Sequence, residues 1–154
     1  DDVVAVAQRT GLPLSMWGLM QDEQCLAAAQ VRYPEADVTY HGFLSTNELG
    51  QVIGKCRGLL VTSKWVEAFG NVVIEAMACG VPVISYRRGG PSEIIQDGVN
   101  GFIVKPDDID GLVAAVARLG TLSRADCRQY IATQYSVDAF AQRVERWLVA
   151  RCAN

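Results

Sequence analysis

Two carboxylates and a glycine stand out in the stretch VTSKWVEAFGNVVIEAMACGVP, residues 61–82. A short apolar run ends at Thr62, a loop carries Glu67, and Phe69-Gly70-Asn71 leads straight into a helix expected over 71–79, with Glu75 about one turn inside it. The first amides of a helix have no intrahelical acceptor and lie at the positive end of its dipole, so Gly70, Asn71 and Val72 offer backbone N–H groups to an anion. Gly70 also lets a ligand approach the backbone closely. Glu67 lies outside the helix and Glu75 inside it, so the two bracket the N-terminus rather than share one helical face. Ionised carboxylates are acceptors suited to paired hydroxyl donors. A ligand with an anionic centre and hydroxyl-rich groups on either side fits that layout, and a nucleotide sugar is one. Spacing alone equally allows Glu67 to be a solvated loop residue, Glu75 an ordinary helix residue and Gly70 a turn.

The elements that must position these residues follow from periodicity. Short apolar runs alternate with longer amphipathic segments from end to end, the pattern of parallel strands joined by crossover helices. Helices are expected over 1–9, 21–33, 47–55, 71–79, 106–119, 123–133 and 137–151, with a turn or two over 91–96. Strands are expected over 12–18, 37–41, 58–62, 81–86 and 102–105. The fold class is therefore α/β, a Rossmann-like doubly wound parallel sheet flanked by helices, formed by a single domain over 1–154. Right-handed crossovers place its ligand site at the C-terminal ends of the strands. That singles out the loops at 18–20, 42–46, 63–71, 86–92 and 105–107.

Composition excludes other classes. The 50% hydrophobic share supports a core, and the 20% charged share lies below the roughly 25% of an average soluble protein, against a disordered chain. Fourteen Lys and Arg against seventeen Asp and Glu, with Arg87-Arg88 the densest basic cluster, leave no footprint for nucleic acid. No apolar run approaches the roughly 20 residues of a transmembrane span, and no signal peptide opens the chain. Cys25, Cys56, Cys79, Cys127 and Cys152 are too far apart for CxxC chemistry and read as reduced, mostly buried thiols. His41 is the only histidine, so no metal cluster is expected. The chain opens in the helical pattern Asp1-Asp2-Val3-Val4-Ala5-Val6-Ala7 with no initiator Met and no strand before it, and reads as cut from something longer.

Glu67-Ala-Phe-Gly-Asn-Val-Val-Ile-Glu75, then Ala76-Met77-Ala78-Cys79-Gly80-Val81-Pro82, then Gly89-Gly90-Pro91-Ser92-Glu93 resembles the C-terminal domain of family-4 retaining glycosyltransferases. The resemblance continues through Asp97-Gly98-Val99-Asn100-Gly101-Phe102 and Pro106-Asp107-Asp108, and backwards takes in Val38-Thr39-Tyr40-His41-Gly42-Phe43-Leu44, so it covers nearly the whole chain. It implies the C-terminal half of a GT-B fold, lacking its first strand, whose place in the sheet should be open. It implies that Glu67 faces the hydroxyls of the donor sugar as the candidate catalytic residue, that Glu75 holds the ribose, and that Phe69, Gly70, Asn71 and Val72 form the helix start at the diphosphate. By position it places Gly42, Phe43 and Leu44 at the base, Phe43 being equally a core residue. Gly89 and Gly90 either line the sugar pocket or form a plain turn.

The function so implied is donor binding in retaining transfer from a UDP- or GDP-sugar to an acceptor, with no cofactor and no metal. An acceptor-binding N-terminal domain is the expected partner, without which the domain is inactive. The basic pair for the diphosphate lies, in the family, upstream of this chain. The expected location is cytoplasmic, or peripheral at the inner membrane face through that other domain. The alternatives are a nucleotide-sugar epimerase or phosphorylase on the same fold, and a non-catalytic module of that fold. Among the remaining candidates, Arg87 and Arg88 read as exposed surface residues and His41 as a partly buried, satisfied histidine. Trp65 reads as a loop residue at the acceptor side or in loop packing, and Trp147 and Tyr135 as core contacts.

Overall fold

A computed structural model describes residues 1–152. Helix α1 (Asp2–Thr10) ends where Gly11 turns left-handed and its amide meets the Ala7 carbonyl. Strand β1 (Leu14–Met16) precedes α2 (Glu23–Arg32), whose first turn is capped by the Asp22 carboxylate accepting from the Gln24 and Cys25 amides. Strand β2 (Val38–Tyr40) leads to α3 (Thr46–Ile53), where the Ser45 amide and hydroxyl both donate to Glu48 in a capping box. Then follow β3 (Leu59–Val61), α4 (Asn71–Ala78), β4 (Val83–Tyr86), α5 (Pro91–Ile94) and β5 (Gly101–Val104). The chain closes with α6 (Ile109–Arg118), a 3-10 turn at Leu119–Thr121, α7 (Arg124–Gln134) and α8 (Val137–Cys152). Helix α6 starts later than expected because Pro106-Asp107 forms a turn and Asp108 caps the helix by accepting from the Gly111 amide.

Strands β3, β4 and β5 form one parallel sheet with β4 central, each residue of β4 buried. Their side chains divide by parity, as a pleated strand requires. Leu59, Val61, Val83 and Ile103 pack on one face with Val73, Ala76 and Met77 of α4 and Cys127 and Ile131 of α7. Leu60, Ile84, Tyr86, Phe102 and Val104 pack on the other with Val6 of α1 and Leu112, Ala115 and Val116 of α6. Helices cover both faces, the doubly wound arrangement.

Strands β1 and β2 pair in parallel as a second, two-stranded sheet. Among the described residues β1 pairs only with β2 and β3 only with β4. A hollow of about 370 Å³ runs along β3, lined by Leu59, Leu60, Val61, Lys64, Trp65 and Val72 among others. Helix α8 buries none of its described residues, and Phe140, Trp147 and Val149 stand exposed along it.

Several single-residue expectations are corrected. Of the five thiols only Cys127 is buried; Cys25 and Cys152 lie exposed on α2 and α8, helices with little covering them. Trp147 is 59% exposed because α8 lies outside both core clusters. His41 is exposed, stacked on Trp17 at 5.1 Å. Among the described residues no helix is long and apolar enough to cross a membrane.

Candidate functional site

Helix α4 begins because Gly70 adopts φ 95, a left-handed conformation that suits glycine, and its carbonyl accepts from the Val73 amide at 2.9 Å. No side chain caps this end. The Asn71 and Val72 amides meet no acceptor among the described residues, and both residues are exposed. From its third residue on, Val73, Ala76 and Met77 anchor the helix with no exposed surface. Glu75 lies on the opposite, exposed side of α4 from that anchor.

Glu67 is held by its backbone. It forms a parallel bridge with Gly89, and its carbonyl accepts from the Gly90 amide at 2.8 Å. A Cβ at Gly89 would overlap the Glu67 carbonyl oxygen, and one at Gly90 the Phe69 backbone. The two glycines are therefore the surface on which the Glu67–Gly70 loop lies. The Glu67 carboxylate accepts from the Trp65 indole Nε1 at 3.2 Å.

Below this loop sits a chain of alternating charges. Lys64 Nζ donates to Asp2 at 2.5 Å and to Asp107 at 2.6 Å, and Arg88 Nη2 donates to the other Asp107 oxygen at 2.5 Å. Arg88 also donates to the Ser63 carbonyl, and the buried Tyr86 hydroxyl donates to Asp2 at 2.5 Å. Burial opposes ionisation of Asp2, which is only 8% exposed, but the hydrogen bonds from Lys64 and Tyr86 outweigh it and hold the carboxyl below its usual range. The bonds from Lys64 and Arg88 lower Asp107 likewise. Lys64 is raised by its bonds to Asp107 and Asp2, and the Tyr86 phenol is pushed up by burial and by its bond to Asp2. Arg88 is thus half-buried and engaged rather than a free surface residue; Arg87 is exposed as expected.

The other expected contacts spread outward. Gly42, at φ 77, accepts from the Gly18 amide and ties the ends of β1 and β2, while Phe43 is 68% exposed and so not core, and Leu44 is partly buried. The Phe69 ring packs against Tyr135, 6.3 Å between centroids, and lines a hollow of about 430 Å³ with Tyr135, Phe140, Arg143, Val144 and Trp147. Tyr135 packs on the core edge as expected. That hollow does not contain the carboxylate pair.

The family profile described as "Glycosyl transferases group 1" matches residues 7–134, from within α1 to the end of α7, and so spans the Glu67 loop, α4 and Gly89-Gly90. The chain belongs to the group 1 glycosyltransferases. It is 39% identical over 107 residues to a sucrose synthase of Acidithiobacillus caldus, 70% of this chain and 13% of that protein. Over 88 residues it is 38% identical to a sucrose synthase of Thermosynechococcus vestitus, 57% of this chain and 10% of that one. In structure it superimposes on Anabaena HepE in complex with UDP with a TM-score of 0.83 at 23% identity, covering 97% of this chain and 44% of that one. The chain thus spans a small part of these sucrose synthases and less than half of HepE.

Within this glycosyltransferase domain the residues missed from sequence are Asp2, Lys64, Tyr86 and Asp107. They come from four separate segments, and nothing in the pattern of any one of them, Pro106-Asp107-Asp108 included, shows that they meet; only the packed fold brings the four to one sheet end. The one available signal was position, since Lys64 and Asp107 fall in the loops at the C-terminal strand ends.

Proposed function

We propose that this domain binds the donor in a retaining glycosyltransferase, which moves a sugar from a nucleoside diphosphate, UDP or GDP, to an acceptor. The observation that carries the reading is the α4 N-terminus, where the Asn71 and Val72 amides lack protein acceptors between the exposed Glu75 and the anchored Glu67. In this reading the diphosphate lies at those amides, where fixed dipoles stabilise the charge that grows as the glycosidic bond breaks. Glu75 accepts from the ribose hydroxyls. Glu67 accepts from the sugar hydroxyls and steadies the developing positive sugar without serving as a nucleophile. Gly42, Phe43 and Leu44, at the ends of β1 and β2, edge the base; Gly89 and Gly90 carry the loop that holds Glu67.

Family membership and the UDP-bound state of HepE support a nucleoside diphosphate donor. Acceptor recognition belongs, in this reading, to an N-terminal partner domain, the basic pair for the diphosphate to the first strand and loop of the donor domain itself, and residues 1–154 alone bind donor without turnover. Titration calorimetry with UDP, GDP and UDP-glucose tests it. Binding of one diphosphate, weakened about tenfold or more by Glu75→Ala, is expected; absence of binding by every nucleotide, or no effect of Glu75→Ala, overturns the reading.

A further inference from the structure

Nothing in the strand pattern requires the loop between β3 and α4 to adopt one conformation. Residues 62–69 contain no helix or strand, Lys64, Trp65, Val66, Ala68 and Phe69 are exposed, and the loop is suspended between Val61 and the buried Gly70. Two sets of contacts hold it. On the α4 side the Glu67 backbone lies on Gly89 and Gly90. On the strand side the Ser63 carbonyl accepts from Arg88 and Lys64 donates to Asp2 at 2.5 Å, and the Asp107 carboxylate joins the two cations, its oxygens receiving Lys64 at 2.6 Å and Arg88 at 2.5 Å. Arg88 in turn donates to the Ser63 carbonyl at 3.1 Å and immediately precedes Gly89.

Asp107 therefore reaches both segments joined at the Glu67–Gly89 bridge, one through each cation, while making no hydrogen bond, among the described residues, to Glu67 itself. It does so in a left-handed backbone conformation, φ 63, which a non-glycine residue adopts at a cost and which aspartate and asparagine tolerate best. Its own ion pairs are partly exposed, and exposed pairs add little to global stability. Backbone strain combined with weakly stabilising but well-directed bonds is the signature of a geometric role.

We infer that Asp107 is a positioning residue: its carboxylate clamps Lys64 and Arg88 so that the Ser63–Gly70 loop presents Glu67 beside the α4 N-terminus. This deepens the donor-site reading by naming what sets the sugar-facing group, and for its ligand arm it rests on that reading.

Two variants separate carboxylate from backbone. Asp107→Asn keeps the shape and the left-handed tolerance but loses the charge; Asp107→Gly keeps the backbone conformation and removes the side chain. Lys64→Met breaks the clamp from the other side. The first readout needs no ligand: hydrogen exchange of the Gly90 amide, which donates to the Glu67 carbonyl, and the NMR signal of the Trp65 indole N–H, which donates to the Glu67 carboxylate. All three variants should speed Gly90 exchange by about tenfold or more and shift the Trp65 signal. The Leu59 amide, bonded to the Pro82 carbonyl at the opposite sheet end, and the Trp147 indole should not change. Unchanged Gly90 and Trp65 signals, a wild-type Asp107→Gly, or an equal rise at Leu59 that marks general loosening, each overturns the inference.

The second readout is the ratio of UDP-glucose to UDP affinity. With Glu67 displaced and Glu75 intact, the variants should lose about tenfold for UDP-glucose and stay within about twofold for UDP. Equal losses for both ligands make Asp107 merely structural. If the wild-type chain binds neither, the donor-site reading fails while the exchange measurement still decides the clamp.

Discussion

Strands β1 and β2 have the same parallel pairing and the same three-residue length as β3, yet they are half-exposed, whereas β4 and most of β5 are buried. The difference lies in what covers them. Each face of β3–β4–β5 meets two amphipathic helices, α4 and α7 on one side, α1 and α6 on the other, while no residue of β1 or β2 belongs to either core cluster. Helix α2, which follows β1, buries only Ala29. The lesson is that strand identity comes from local pattern, but rigidity comes from helices on both faces. The proposed donor contacts divide accordingly: Glu67, the helix start and Gly89 rise from the buried sheet, and the expected base contacts Gly42 and Phe43 from the looser one.

The comparison breaks most visibly by truncation. Ile84→Ala in β4 should cost about 2–5 kcal/mol in chemical denaturation, and Leu14→Ala in β1, a side chain of equal size, about 1 kcal/mol. Similar costs would show that the two-stranded sheet is as firmly supported as the three-stranded one. Next come two glycines of like backbone, Gly89 at φ 67 and Gly42 at φ 77. Gly42→Ala meets no atom within 4 Å and should cost only the left-handed penalty, roughly 1–2 kcal/mol, whereas Gly89→Ala must displace the Glu67 backbone and should add a loss of nucleotide-sugar binding.

A smaller effect follows from the charges beneath the buried sheet. The lowered Asp2 and Asp107 carboxyls contribute stability that is complete above about pH 4 and is lost as the pH falls through their native values. The raised Lys64 and Tyr86 contribute stability that is complete below about pH 10 and is lost as the pH rises further. Melting temperature against pH should therefore fall on both limbs, and Asp2→Asn should flatten the acid one. The smallest perturbation is a thiol reagent: Cys25, exposed on α2, should react at once, and Cys127, buried on α7 with its thiol pushed up by burial, only as fast as the buried sheet opens.

Most of the element order was legible beforehand because each amphipathic segment carries its own stop. Gly11 ends α1, Gly80 with Pro82 ends α4, and Ser45 caps α3, whereas Asp22, expected inside α2, caps it instead. The helix-start site was legible for the same reason, since Glu67, Gly70, Asn71 and Glu75 lie within one short segment. Less could be read where a residue's fate depends on distant neighbours. Trp147 sits on an apolar stripe that would suit a core, yet nothing among the described residues covers α8; Arg88 looks like a surface charge until Asp107 and Ser63 meet it.

Residue order by itself determined the alternation of strands and helices, the glycine at the head of α4 and the two glutamates on either side, because hydrophobic period, caps and turns act over a few residues. Only the tertiary structure decided that Gly89 and Gly90 form the bed of the Glu67 loop, and that Asp2, Lys64, Tyr86, Arg88 and Asp107 share one network. Such contacts exist because parallel strands bring their C-terminal ends together, and the geometry of that meeting is a property of the packed sheet rather than of any segment within it.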